Sequence, residues 1–264
     1  MRLRRGRGWG ELLAGVPLLV LLVLPLLALG LNLDYAGLWV HLASPVVMQA
    51  LALSLGTGST AALLVVLLGT PLSYLLARRA GRLQVFVETL VELPMVLPPA
   101  VAGVALLLVF GRRGLLGPFL EGAGVQIVFT PVAVVLAQVF VAAPFYITAA
   151  VAGFAEIDPD LEQAAALEGA SDWGVFRHVT VALAWPALLA GAVMAWARSL
   201  GEFGATIIFA GNFPGRTQTM PLAIYLGFER DLDIAVTLAF LLVVVSFAVL
   251  VAVKGLLGRR GLGR

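Results

Sequence analysis

Long apolar runs alternate with short polar connections along nearly the whole chain. A helix needs about 20 mostly apolar residues to cross the hydrocarbon layer of a bilayer. Six segments reach that length, and they predict an all-α integral membrane protein with six transmembrane helices. The predicted spans cover residues 12–31, 47–77, 84–110, 127–154, 183–210 and 233–255, and the longer polar connections are 155–182 and 211–232.

Three of the predicted spans are longer than one bilayer crossing. The second, third and fourth segments therefore have to tilt or continue into water as amphipathic ends. The third segment also contains Pro94, Pro98 and Pro99. Because proline lacks a backbone donor and clashes with the preceding helical turn, we expect this span to be bent.

The first apolar segment admits two interpretations. Four arginines precede it within the first seven residues, as in a signal peptide, and Ala28-Leu29-Gly30 resembles a cleavage site. The hydrophobic region of a signal peptide is about 7 to 15 residues long. The apolar run from Leu12 to Leu31 is longer than that, which favours a retained first span.

The composition is that of a chain surrounded by lipid. Of its 264 residues, 61% are hydrophobic and only 12% are charged, whereas soluble domains carry about 25% charged residues. With six spans, twelve of the 17 basic residues fall on one side and four on the other, and Arg198 lies inside a span. Cytoplasmic connections are enriched in Lys and Arg. We therefore expect a multi-pass protein of the cytoplasmic membrane with both termini in the cytoplasm and no nucleic-acid partner.

Few residues are suited to catalysis or metal binding. The chain has no cysteine, and His41 and His178 lie in separate connections without the spacing of a zinc motif. The single lysine, Lys254, does not belong to a Walker A phosphate loop. We predict no metal site, no catalytic residue and no cofactor bound by this chain. ATP hydrolysis, if it drives the protein, has to occur on another polypeptide.

The polar connection 155–182 contains signals for local structure. Asp158 followed by Pro159 is typical of a helix start, with Asp as the cap and Pro in the first turn. The leucine and alanine positions that follow predict a short surface helix. Gly169 and Gly174 are expected to interrupt it.

Residues 162–171 of this connection, Glu-Gln-Ala-Ala-Ala-Leu-Glu-Gly-Ala-Ser, resemble the EAA loop of ABC importer permeases. The resemblance implies coupling helices that dock into a cleft of a cytoplasmic ATPase, with small residues allowing close approach and a glycine allowing a sharp turn. The alternative is an ordinary amphipathic connector. The residues that the resemblance assigns to ATPase coupling are Glu162, Ala164, Ala165, Gly169, Ala170 and Ser171.

Residues 197–206 and 211–225 are similar to the corresponding segments of the molybdate-type branch of these permeases. Residues 92–99 also resemble a segment of this family. The resemblance implies a type I ABC importer permease fold with a core over about 47–255. It also implies a homodimer of permeases, two ATPase subunits that bind ATP and Mg, and an extracytoplasmic oxyanion-binding protein. Sulfate permeases carry a similar stretch, so tungstate and sulfate or thiosulfate stay open as substrates beside molybdate.

Arg198 and Glu202 are ionisable residues inside the predicted fifth span. Such groups are costly in a bilayer and are candidates for function, and four residues apart they share a helix face. A cation at mid-membrane can lower the barrier for a dianion, but an Arg–Glu pair can equally lock helix packing. Gly201 and Gly204 nearby allow close approach of helices or substrate. These four residues form a candidate translocation path or gate.

The connection 211–232 offers one cation among neutral hydrogen-bonding groups. Its candidate residues are Asn212, Arg216, Thr217 and Gln218. They can receive an oxyanion or contact the binding protein, whereas the alternative is a Pro-Gly turn with a solvated arginine. We favour a functional loop because of the family resemblance.

Two other classes of protein have to be weighed against a permease that works by alternating access. A stand-alone secondary transporter or channel usually shows embedded coupling-ion groups and inverted repeats, and we find neither here. An intramembrane enzyme needs an acid, base or nucleophile constellation within its spans, and none is evident. The sequence therefore favours the ATP-driven permease.

Overall fold

The computed structural model describes residues 8–261, with side chains over residues 15–255, and this part of the chain is helical without strands. The helices are α1 Gly8–Leu31, α2 Leu38–Ala43, α3 Pro45–Arg78, α4 Arg82–Val96, α5 Pro99–Phe110, α6 Gly117–Gly122, α7 Pro131–Ala155, α8 Pro159–Leu167, α9 Asp172–Val175, α10 Val181–Leu200, α11 Gly204–Phe209, α12 Met220–Arg230 and α13 Leu232–Gly261. A π-helical turn, Phe176–Thr180, joins α9 to α10.

Four helices of the described chain are long and apolar enough to cross a bilayer: α3, α7, the continuous α9–α10 segment and α13. Counting α4 and α5 as one broken span gives five. For α1 the side chains are described only over Gly15–Leu31, a stretch shorter than the four long helices, so a sixth span there stays a prediction. The arginines at positions 2, 4, 5, 7 and 264, which entered the charge asymmetry, lie outside the described residues.

The predicted third span, 84–110, consists of two helices. Between α4 and α5 the chain direction changes by 115°, so the expected bend is confirmed and takes the form of a break between two helices. Leu97 and Pro98 have extended backbones, and Pro99 opens α5 in its first turn. Because neither proline can donate a helical hydrogen bond, the break falls where the two occur in succession.

The centre of the fold is formed by α3, α7 and α10. Thr70 contacts Tyr146, and Arg78 contacts the carbonyl of Ile157, so α3 and α7 run in the same direction. The amide of Gln138 donates to the carbonyl of Ser199, and α10 therefore runs back along α7. This arrangement places residues 156–180 at one end of the bundle, which we call the loop end, beside the end of α3.

Small residues allow the central helices to approach closely. A Cβ atom at Gly69 of α3 would lie 2.9 Å from the ring of Tyr146, and one at Gly153 of α7 would overlap the Cβ of Ala187 on α10. Without a hydrophobic driving force between helices in lipid, such close van der Waals packing is a main source of helix association. The three-helix centre is thus fixed by the positions of its glycines.

The other end of the bundle is covered by α5, α11, α12 and the start of α13. The α5 and α11 helices pack against α7 through a cluster that includes Leu106, Val134 and Phe209. The α12 and α13 helices cover the start of α3, where Val47 meets Met220 and Leu238. We call this end, which lies opposite the loop end, the far end.

Candidate functional site: the coupling loop and the embedded charge pair

The loop end has the local structure that the sequence predicted. The carboxylate of Asp158 accepts a hydrogen bond from the N–H of Asp160 at 3.0 Å, and Pro159 occupies the first turn of α8. Gly169 adopts a φ of +92°, a backbone conformation that L side chains rarely adopt, and so turns the chain after α8. Ser171 then caps α9 by accepting from the N–H of Gly174. The helix start at Asp158 and the turn at Gly169 are confirmed, whereas the expected interruption at Gly174 is wrong, because Gly174 lies inside α9.

The residues that the EAA resemblance assigned to ATPase coupling do not share one environment. Ala164, Gly169, Ala170 and Ser171 are exposed, and Ala165 is half-buried. Glu162 instead points into the bundle, where its Oε1 atom accepts from Arg78 Nη2 at 2.7 Å and from Thr180 Oγ1 at 2.5 Å. Five of the six assigned residues thus follow the loop surface, and the glutamate faces inward.

The two most exposed large apolar side chains in the connection 155–182 are residues to which the sequence analysis assigned no role. Leu167, the last residue of α8, is 88% exposed, and Trp173 of α9 is 66% exposed. The Trp173 ring packs against Phe176 with centroids 5.6 Å apart, which restricts its orientation. Both lie in a connection rich in acidic residues, and that contrast is a signal by which they could have been found.

The embedded charge pair lies where α10 ends. Arg198 Nη1 and Glu202 Oε2 are 2.9 Å apart, and the exposed fractions of the two side chains are 27% and 1%. The other carboxylate oxygen of Glu202 accepts from the N–H of Ala205 at 2.8 Å, in the first turn of α11. Glu202 therefore neutralises the arginine and at the same time joins the end of α10 to the start of α11.

The depth of this pair follows from its neighbours. Leu200 packs against Gly58, where an added Cβ would lie 3.0 Å from Leu200 Cδ2. Gly58 lies near the middle of α3, a helix of 34 residues and about 51 Å in length at 1.5 Å per residue. The ion pair therefore lies far from both ends of the bundle. At this depth in a bilayer an unpaired charge is most costly.

Gly201 and Gly204, the two glycines of the candidate path, differ in how closely other residues pack against them. A Cβ at Gly204 would lie 2.7 Å from Pro99 Cβ, so this glycine lets α11 contact the start of α5. Gly201 has only the carbonyl of Ala197 at 3.8 Å and is exposed. Gly204 is required by packing, whereas Gly201 leaves free space beside the charge pair.

Gln138 is a buried polar residue near this junction that sequence analysis missed. Its Nε2 atom donates to the carbonyl of Ser199, while its Oε1 atom and the hydroxyl of Thr206 are buried without a hydrogen-bond partner. A glutamine in the middle of an apolar span is itself a signal, because a buried polar group has to be satisfied.

The far-end loop uses most of its polar side chains internally. Asn212 Oδ1 accepts from Gln218 Nε2 at 2.9 Å, and Thr217 Oγ1 accepts from the N–H of Phe213 at 3.1 Å. Thr217 and Gln218 are buried, whereas Arg216 is exposed. The structure brings three of the four predicted residues together as a folded loop, with Arg216 facing outward.

The two histidines lie apart from each other. His41 is 3.4 Å from Asp34 Oδ2, and His178 contacts the carbonyl of Gly174. The N–H of Gly37 donates to the Asp34 carboxylate and lowers its pKa below the ordinary value, helped by His41. Among the described residues no three His, Asp or Glu side chains form a cluster that could hold a metal ion.

The fold is shared with solved transporters of one class. A bacterial ABC transporter involved in the import of the acidic polysaccharide alginate has a chain that superposes with a TM-score of 0.74, covering 95% of this chain and 94% of that one at 16% identity. This likeness confirms the predicted fold class, the all-α fold of an ABC importer permease.

The chain belongs to the family of binding-protein-dependent transport system inner membrane components, whose family model matches residues 69–260. Within it, the chain is 44% identical over 235 residues to the molybdenum transport system permease protein ModB of Mycobacterium tuberculosis, covering 89% of each chain. The sulfate transport system permease protein CysW of Synechococcus elongatus is 32% identical over 261 residues, covering 90% of this chain and 91% of that one. These matches confirm the family that the sequence motifs indicated.

Proposed function

We propose that this chain is the permease subunit of an ATP-driven importer of molybdate or a closely similar tetrahedral oxyanion. The observation that carries the substrate assignment is the 44% identity to a molybdenum permease over 89% of its length. The lower identity to a sulfate permease keeps sulfate or thiosulfate, together with tungstate, as alternatives. The protein works in the cytoplasmic membrane.

The energy source in this proposal is a separate pair of ATPase subunits. The chain carries no phosphate loop, so ATP and Mg bind to the partner ATPase, and this chain binds no cofactor. An extracytoplasmic binding protein delivers the anion. Two copies of the permease, surrounded by lipid, enclose the path between them.

The loop end faces the cytoplasm in this proposal. Arg78, Arg79, Arg82 and Arg177 all lie at this end, at helix ends or between them, and the cytoplasmic side of membrane proteins is enriched in basic residues. With this orientation the N- and C-termini are cytoplasmic, and Arg216 of the far-end loop faces the binding protein. Arg216 is proposed to meet the protein or its anion, and Asn212, Thr217 and Gln218 are proposed to hold the loop in the conformation that presents it.

The mechanism that we propose is alternating access driven from the loop end. ATP binding displaces α8 and α9, and the π-helical turn passes this movement directly into α10. Glu202 links α10 to α11, so the displacement reaches mid-membrane, where Arg198, Gly201, Glu202 and Gly204 form the path or gate. Alternating access of this kind requires only that the packed transmembrane helices have two stable arrangements.

Reconstitution tests this function directly. The permease, its ATPase and its binding protein are placed in proteoliposomes, and uptake of radiolabelled molybdate is measured with and without ATP. We expect uptake only when all three proteins and ATP are present, with tungstate competing more strongly than sulfate. Uptake by the permease alone would identify a secondary transporter or channel, and preferential competition by sulfate would assign the chain to sulfate.

Trp173 provides a test of the ATPase contact. Exposed aromatic side chains held in one orientation are typical interface anchors, and their removal commonly costs about 2 kcal/mol or more, roughly a thirtyfold loss of affinity. We expect Trp173→Ala to weaken ATPase retention by that factor in a titration with purified subunits. Trp39, exposed on α2 at the far end, is the matched control, and Trp39→Ala should leave retention unchanged. Equal affinities for both variants would contradict docking at α9.

A further inference from the structure

Glu162 belongs to a bracket at the loop end that joins three parts of the chain. Arg78, the last residue of α3, donates from Nη2 to Glu162 Oε1 at 2.7 Å and from Nη1 to the carbonyl of Ile157 at 3.4 Å. Thr180, at the end of the π-helical turn, donates to the same carboxylate oxygen at 2.5 Å. One carboxylate therefore connects the end of α3, the coupling helix α8 and the start of α10.

The bracket is shielded from water more than its neighbours are. The exposed fractions of the Arg78 and Glu162 side chains are 22% and 15%, and Thr180 is buried. The adjacent residues Arg79 and Gln163 are exposed. Partly buried, charge-assisted hydrogen bonds of this kind are stronger and less screened by salt than surface ion pairs.

Aromatic packing fixes the arginine that the bracket depends on. The Arg78 guanidinium lies 5.7 Å from the centre of the Tyr74 ring. Tyr74 in turn packs edge-on against Phe154 of α7, at 5.6 Å, and against Phe176 of the π-helical turn, at 5.2 Å. The bracket is thus supported by the same helices that it connects, and α8 has a fixed attachment to them.

We propose that Glu162 is a positioning residue inside the permease, which transmits movement of the coupling helix to α3 and α10 and does not contact the ATPase. This inference rests on the proposed ATP-driven function. In this role Arg78 is the fixed partner, Thr180 is the second donor, and the exposed side chains Leu167 and Trp173 form the contact with the ATPase. Loss of the bracket leaves the ATPase bound but disconnects α8 from the transmembrane helices.

The test compares uptake with ATP hydrolysis in the reconstituted complex. We expect Glu162→Gln and Arg78→Gln each to lower the number of anions taken up per ATP by at least about fivefold, the lower end of typical coupling between sites. ATPase retention should stay at the wild-type level. The double variant Arg78→Glu with Glu162→Arg restores the ion pair with its two charges exchanged. It should recover most of the wild-type number of anions taken up per ATP.

Three matched variants keep the test decisive. Glu168→Gln removes an exposed carboxylate at the end of α8, Arg79→Gln removes the exposed guanidinium that follows Arg78, and both should keep the wild-type ratio. Thr180→Val removes one donor at nearly constant volume and should give an intermediate ratio even if the arginine variants fold poorly. An unchanged ratio in Thr180→Val and Glu162→Gln, or a loss of ATPase retention in Glu162→Gln, would overturn the inference. Failure of the wild-type complex to transport would instead count against the proposed function.

Discussion

Replacing Glu202 by alanine is expected to destabilise the permease more than any other single change of charge. The change leaves the Arg198 guanidinium without its carboxylate and the N–H of Ala205 without its acceptor. Removing one partner of a buried ion pair typically costs about 3 to 5 kcal/mol. We expect a large drop in the thermal unfolding midpoint of the purified complex and the loss of uptake.

The matched experiment removes both charges. In Arg198→Met combined with Glu202→Gln, the glutamine oxygen can still accept from Ala205, and no unpaired charge remains. We expect this double variant to regain most of the lost thermal stability, because a buried pair contributes little net stability compared with its neutral replacement. If Glu202→Ala is as stable as the wild type, the pair does not hold α10 and α11 together.

The double variant also separates the two roles that the sequence left open for Arg198. A stable complex that no longer takes up anion would show that the positive charge serves the substrate. A stable complex with normal uptake would show that the pair is a packing device. The exposed 27% of the Arg198 side chain provides the surface on which an anion could meet it.

The second large effect is expected at Gly153. A Cβ atom there would overlap the Cβ of Ala187, so Gly153→Ala forces α7 and α10 apart in the centre of the fold. Overpacking of this kind costs about 1 to 3 kcal/mol, and we expect a lower unfolding midpoint and a lower yield of folded protein. Adding Ala187→Gly should recover the loss, because it removes the atom that is overlapped.

Gly56 of α3 provides the control for this prediction. It lies in a membrane helix like Gly153, but a Cβ atom there would have no neighbour within 4 Å. Gly56→Ala should therefore leave the unfolding midpoint unchanged. Equal effects of alanine at the two positions would mean that helix propensity, and not close packing, decides the outcome.

The sequence was sufficient to predict which segments enter the membrane and that they are helical, because the bilayer sets these requirements on each segment separately. A span needs about 20 apolar residues, and its backbone groups are satisfied within the helix, so length and composition suffice. The same holds for the start of α8, where Asp158 and Pro159 act within one turn. The family motif supplied the identity of the loop, since its residues are adjacent in the chain.

The break in the third span shows where local rules stop. Pro98 and Pro99 remove two helical donors, and this much was readable from the sequence. The direction change of 115° depends on what α4 and α5 pack against, namely α7 for the first and α11 with α7 for the second. The sequence could therefore predict a bend in this span, but not at which of its three prolines the helix breaks or where the chain runs afterwards.

The site divides in the same way. The sequence by itself determined that the chain is a membrane-embedded permease with an EAA-like coupling motif in a polar connection. It also determined that Arg198 and Glu202, about one helical turn apart, are close enough to pair. Only the tertiary structure decided that Glu162 faces Arg78, 84 residues away in the chain, and that Leu200 beside the charge pair packs against Gly58 of α3. The physical reason is that local hydrogen bonds and lipid fix each helix separately, whereas side-chain partners are fixed by which helices pack together.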